Sequence, residues 1–261
     1  MAASDVESEL HQPIGAPADG ESGGTMTLVE HLEELRRRII VSAIAIAVFS
    51  IIGFIFWQRI LDFLLLPLPA ISVGLLGPNH KLVQKDLGEA FLISLKLSLA
   101  VGFALASPVV LFQMWRFIAP GLTNRERKYA LPFTLLGTGL FAIGMATGFV
   151  VLRYPIAWLI GFGKDNFVLL LDANSYFTFV AYFLLAFGIV FELPLVLTFL
   201  SLVGIVTSQF LRAKRKYILF GLWFLACFIT PGADPYSPVI IGVALTILFE
   251  FSIILMRILK K

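Results

Sequence analysis

An all-α polytopic membrane protein is the fold class this chain predicts, and three observations predict it. Hydrophobic residues make up 59% of the 261, charged residues only 14%, and the mean hydropathy is +0.92, outside the range of water-soluble domains. Apolar runs of about 20 residues, each able to cross a roughly 30 Å hydrocarbon core at about 1.5 Å per residue, recur along the chain. Lysine and arginine are shared unevenly between the connections, as bilayer insertion requires.

Taken in order, residues 1–25 are polar, acidic and rich in Ala, Gly, Ser and Pro, with no basic start and no apolar core of a signal peptide. They read as a disordered cytoplasmic tail. Met26 could also serve as a start, and 26–261 is expected to form a single transmembrane domain. Thr27 followed by Glu30 reads as a capping box, so the first helix begins before the membrane and carries Glu34 at its surface. Its span covers about 39–57, behind Arg36-Arg37-Arg38. The first outer connection, 58–90, holds a mixed segment, Ile60 to Leu68, with Pro67 and Pro69, which suits a helix and loop lying on the outer surface. A second span covers about 91–118 and is ended by Pro120-Gly121, and Thr123 or Asn124 can cap the third, about 129–152. The fourth covers about 176–204.

The fifth run, about 217–230, is ended by Pro231-Gly232, and the sixth, about 238–259, is interrupted near its end by Glu250. Fourteen residues give the fifth only about 21 Å of helix. Such a span is accommodated by bilayer thinning or snorkelling. Two short spans are therefore expected, with a re-entrant pair as the alternative.

With six spans, fourteen lysines and arginines fall on the side that holds both ends and six on the other, which predicts that both termini are cytoplasmic. Cys227 lies alone in an apolar run and is expected to be a small core residue, so no intramolecular disulfide can form. His11, His31 and His80 lie outside the spans, which argues against a histidine active site or metal centre in the membrane.

Three acids stand out. Glu192, in Phe191-Glu192-Leu193-Pro194, interrupts an apolar run long enough to span. A charge at that depth costs roughly 2.5 to 3.5 kcal/mol, so it marks a functional candidate, against the plainer reading of a protonated or hydrogen-bonded structural carboxyl. Glu34 precedes the first span, where arginines are ordinary topology signals and Glu34 with Arg38 makes an i,i+4 pair. Glu126 is the one carboxylate in the basic loop 117–128, which on its own reads as charge compensation.

Together these pieces become specific. His31-Leu32 with Glu34-Leu35-Arg36, Ser107-Pro108-Val109, Gln113-Met114-Trp115, Phe117-Ile118-Ala119-Pro120-Gly121-Leu122, Arg125-Glu126-Arg127, Ala186-Phe187-Gly188 through Pro194, and Thr230-Pro231 with Asp234 resemble the TatC family, the signal-recognising subunit of the twin-arginine protein translocase. The resemblance runs from Met26 to Lys261. The chain departs from the pattern in carrying Glu33 beside Glu34 and Gly232-Ala233 before Asp234, which leaves open which acid binds in the first cluster and how the last outer turn is shaped.

The resemblance implies six transmembrane helices in a curved, glove-like bundle in the bacterial cytoplasmic (inner) membrane. It implies a receptor and core scaffold that binds Arg-Arg signal peptides of folded proteins, with export driven by the proton gradient. Two guanidiniums call for carboxylates that accept paired hydrogen bonds, which fits Glu34 and Glu126. Phe117 resembles the family's aromatic contact, and Arg36 and Arg127 would position the acids. Glu192 resembles the polar residue that faces a concave cavity and meets single-span partner subunits of TatA/TatB type, where an uncharged carboxyl could donate a hydrogen bond. Homo-oligomers within the complex are expected; cofactors, metals and nucleic acid are not. No G-x-x-x-x-G-K-[ST] loop occurs, and the protein is expected not to be an enzyme. The competing class is a proton-coupled small-molecule transporter with Glu192 as relay, which would want further buried acids or broken helices. An intramembrane protease lacks a second membrane-centre acid or histidine.

Overall fold

The computed structural model describes residues 28–68, 82–118, 130–162, 170–232 and 234–258. Ten helices run through them in the order α1 Leu28–Ile55, α2 Trp57–Leu65, α3 Glu89–Ile118, α4 Ala130–Val151, α5 Arg153–Gly161, α6 Ala173–Val190, α7 Leu193–Leu202, α8 Ser208–Ala213, α9 Arg215–Ile229 and α10 Tyr236–Ile258. Among the described residues the backbone makes no named strand. In hydrocarbon only a helix satisfies every backbone polar group within its own segment.

Five helical stretches are long and apolar enough to cross a membrane: Val29–Ile55, Glu89–Ile118, Leu131–Gly161, Ala173–Leu202 and Tyr236–Ile258. The sequence-based limits shift in ways that have local causes. The third stretch does not stop near residue 152, because Leu152 keeps helical dihedrals (φ −54°, ψ −33°) and its N–H still donates to the Gly148 carbonyl. Pro155 only removes one donor, so the helix bends into α5 and continues. The fourth is two helices, interrupted at Phe191-Glu192, where Pro194 falls at the start of α7 and leaves the Val190 carbonyl without its usual donor.

The fifth and sixth runs are not equally short. α9 has 15 residues, about 22 Å, whereas α10 has 23, about 34 Å, because Pro238 lies in its first turn, where a missing N–H costs nothing. Cys227 is exposed on α9, not in the core: α9 leans on α10 along one face and has Ala226 as its one buried residue. The tail 1–25, the loop with Glu126 and Arg127, and the capping residue Thr27 lie outside the described residues.

Acids start the helices at one end of the bundle. Glu89 reaches back to accept the Lys85 and Asp86 N–H groups (2.5 and 3.2 Å) and also the Asn174 N–H at the head of α6 (3.1 Å). Asp172 caps α6 through the Ser175 N–H and hydroxyl and pairs with Lys85 at 3.2 Å. Burial opposes its charge, but the Ser175 bonds and Lys85 outweigh that and hold the Asp172 carboxyl below the usual range. Val83 adds a one-residue parallel bridge to this corner, and Asp234 caps α10 through Ser237. α2, amphipathic as its stretch of sequence suggests, lies beside this corner with Leu64 buried and Arg59 and Asp62 exposed.

Glycines set the helix spacings. A Cβ on Gly102 of α3 would overlap the Ser50 Oγ of α1 and lie 2.7 Å from the Ser50 amide nitrogen, and Gly188 of α6 admits the Phe141 ring of α4 in the same way. Gly102→Leu is accordingly expected to force α1 off α3 and cost about 1 to 3 kcal/mol. A thermal unfolding midpoint in detergent that does not move would show that this contact is not tight.

Candidate functional site

Two places gather polar side chains that the rest of the bundle does not need. The first lies at the N-terminal end of α1. Because residues 31, 34 and 38 fall on one helical face, His31, Glu34 and Arg38 all turn toward the last turns of α3. Arg38 Nη2 meets Glu34 Oε1 at 2.8 Å while its Nη1 donates to the Gln113 Oε1 at 3.2 Å. One turn further along α3, the Phe117 ring stacks on the His31 ring at 4.4 Å and 16°.

The structure therefore brings Phe117 and Glu34, two of the predicted site residues, into one two-helix ladder. The cation beside Glu34 is Arg38, not Arg36, which is exposed. Position 36 points off the α3-facing side on which 34 and 38 sit, and Arg36 lines the surface recess instead. Glu34 Oε2 remains buried with no partner among the described residues, so one carboxylate oxygen is spare while the other is fixed. Glu30, Glu33 and Glu34 line one surface recess with Arg36, Arg37 and Arg38. The recess sets three carboxylates against three guanidiniums at a helix start, one of the acids held by its neighbour. Sequence reasoning missed Gln113. Its motif position was visible, but its reach across 75 residues to Arg38 was not.

The second place is the α6/α7 break. Glu192 sits at the junction with helical dihedrals, and its two carboxyl oxygens are covered and have no hydrogen-bond partner among the described residues. Its side chain is aimed at α3 and α4. A methyl group on Gly137 would lie 3.1 Å from Glu192 Oε2, 3.1 Å from Leu111 Cδ1 and 3.3 Å from Leu195 Cδ2. The absence of a side chain at Gly137 is what leaves room for the carboxyl.

Other unpartnered polar groups form a set with Glu192 along α7 and α3, on more than one helical face. Thr198 Oγ1 and Ser201 Oγ, six and nine residues on along α7, are buried without partners among the described residues, as is the Trp115 Nε1, whose ring lies against Phe133 and Phe199. Elsewhere in the spans, Ser50, Ser98, Thr138, Thr246 and Ser252 return their hydroxyls to the carbonyl four residues back. Thr198 and Ser201 do not. The set is thus an exception within the same chain, and buried polar groups without partners are the ones that call for an explanation.

Other acids do not share this state. Glu89 and Asp234 are buried but spent as helix caps, and Glu250 pairs with Arg215 at 2.7 Å. Among the described residues, no second unpartnered carboxyl accompanies Glu192 in the bundle interior, although the broken helix is there.

Comparisons with known proteins point the same way. The family model described as Sec-independent protein translocase protein (TatC) matches residues 30–243. Among curated relatives, the Sec-independent protein translocase protein TatC of Carboxydothermus hydrogenoformans is 39% identical over 90% of this chain and 94% of its own length. That of Desulforapulum autotrophicum is 38% identical over 89% and 84%. A crystal structure of the twin arginine translocase receptor TatC superposes with a TM-score of 0.74 at 34% identity, covering 89% of this chain and 100% of that one. A second, in the detergent DDM, gives 0.75 at 35%, covering 87% and 99%.

Proposed function

Since this chain belongs to the TatC family and is a multi-span component of the twin-arginine translocase, we propose that it is the non-enzymatic receptor and core scaffold of that machine in a bacterial inner membrane. The face carrying Glu34 binds the Arg-Arg motif of a signal peptide, with Glu126 supplied from the neighbouring loop. The observation that carries this reading is the spare Oε2 of a Glu34 held by Arg38, which Gln113 in turn fixes. A peptide guanidinium offers a planar pair of donors that a free carboxylate oxygen accepts with charge assistance, whereas a lysine offers a point charge without the fork. Phe117 and His31 form the aromatic wall beside it, and Arg36 lines the same recess.

The polar set at Glu192 is the docking site for the single-span subunits of TatA/TatB type. What supports this is the set of polar atoms without internal partners, which a polar side chain from another helix would satisfy at a gain of about 0.6 to 2 kcal/mol each. The α9 helix, too short for an ordinary bilayer but bounded by a basic start and by Pro231, is the short fifth of six spans, so that both termini are cytoplasmic.

Two experiments test these statements. A photoreactive residue at position 37 is expected to capture an Arg-Arg signal peptide and not its Lys-Lys counterpart; equal capture would remove this face from recognition. Cysteine labels near residue 20 and at the C-terminus are expected to react from the cytoplasm, and labels at Asn79 and Asp165 from outside. If Asp234 reacts only from the cytoplasm, α9 and α10 form a re-entrant pair and the sixth span is wrong.

A further inference from the structure

At the end of the bundle away from Glu34, two apolar grooves open on the outside of the helices and adjoin. One is bounded by α2, α3, α4 and α6, with Arg59 at its rim and Phe63, Leu97, Val101, Met145 and Leu184 among its walls. The other lies between α3 and α6, with Lys96 at its rim above Leu99, Phe103 and Tyr182. Ala100, Ala181 and Leu185 belong to both, so the two adjoin along α3 and α6 as a furrow lined by small and aliphatic side chains. From its rim the furrow descends toward the middle of the bundle along α3 and α6, which both begin at this end.

The two rim cations pair with no carboxylate among the described residues. Lys96 Nζ donates to Asn174 Oδ1 at 2.8 Å and lies 3.5 Å from Thr178 Oγ1, so its stem runs up the apolar helix and its ammonium reaches the level at which α6 begins. Arg59 lies over the Phe56 ring at 5.6 Å, on the side of α2 that faces the furrow. The acid of that helix, Asp62, lines a different recess on its other side, with Trp57 and Gln84. Among the described residues neither cation has an ion-pair partner, while Lys85 and Arg215 of the same chain do.

We propose that this furrow binds an anionic phospholipid of the leaflet at that end, its phosphate held by Arg59 and Lys96 and one acyl chain laid over Ala100 and Ala181. The occupant follows from complementarity. Unpaired cations at an interface attract a phosphate, and a furrow lined by carbon below them takes a chain that already lies in hydrocarbon. A polar ligand would leave the furrow empty, and an apolar helix would leave both cations unpaired. The site is independent of signal-peptide recognition, which lies at the other end.

The test uses the full chain in phosphatidylcholine nanodiscs containing a minor fraction of phosphatidylglycerol, with photoactivatable forms of each lipid. Labelling is expected to favour phosphatidylglycerol. That preference should fall about fivefold in Arg59→Gln and in Lys96→Gln and about twenty-five-fold in the double variant, as one lost cation each predicts. Lys96→Arg should restore it, which a merely structural loss would not. Ala181→Phe, filling the floor, should reduce labelling by both lipids. An unchanged preference in the double variant overturns the proposal. So does displacement of the label by soluble glycerol phosphate, which would show an anion site without a lipid, or capture of another polypeptide instead of lipid by a photoreactive residue at position 182.

Discussion

Glu192→Gln is expected to keep appreciable export of a folded reporter bearing a twin-arginine signal, whereas Glu192→Ala loses most of it. The reason lies in what the two side chains can still offer. Both oxygens of Glu192 are covered and, among the described residues, unpartnered at the α6/α7 break, within reach of the space that Gly137 leaves open. An amide fills that space and both donates and accepts, so a partner helix keeps its polar contact; a methyl group leaves the partner's group unsatisfied in hydrocarbon. A proton relay makes the opposite demand, because a group that must cycle its charge cannot be an amide. Export and site-specific crosslinking to single-span partners are measured side by side. Equal loss of export in both variants with partner contacts intact would sink docking and return Glu192 to proton coupling. A further check comes from Thr198→Val, which should weaken partner crosslinking in part, since it removes one of the same set of unpartnered groups.

The second large effect belongs to the other end of the bundle. Glu34→Gln is expected to weaken capture of an Arg-Arg peptide by about tenfold or more, since a hydrogen bond to a charged group contributes about 1.5 to 3 kcal/mol. Glu126→Gln is expected to act in the same direction. The geometry also separates two arginines that look alike in sequence. Arg38→Gln releases the carboxylate that Arg38 holds at 2.8 Å and should cost nearly as much as losing Glu34, while exposed Arg36→Gln should cost several-fold less. Membrane insertion is expected to be normal in each, as judged by protease protection. Peptide capture that is unchanged in Glu34→Gln and Glu126→Gln alike would remove these acids from the site, and an Arg36 effect larger than that of Arg38 would overturn the positioning role of Arg38.

Much of this was legible in advance because a bilayer reads composition. Glu192 announced itself as an acid where none is cheap, and Pro194 marked the place where the helix breaks, although the break itself was not anticipated. The pairing of Glu34 with Arg38 followed from a spacing of four, but that spacing could not say that Gln113 completes it. Cys227 shows the converse: an apolar residue in an apolar run was expected in the core and proves exposed.

The sequence by itself determined the membrane class, five of the spans in approximate place and the family, because each depends on local runs of residue type, the spans measured against a slab of fixed thickness. Only the tertiary structure decided which way each helix turns: that Glu192 faces Gly137, that Phe117 lies on His31, and that Arg59 and Lys96 rim adjoining grooves. The physical reason is that lipid is as apolar as a packed core. The periodicity that tells the inside face of a soluble helix from its outside therefore fades in a bilayer, and orientation is set by close contacts such as Gly102 against Ser50, which join residues far apart in the chain.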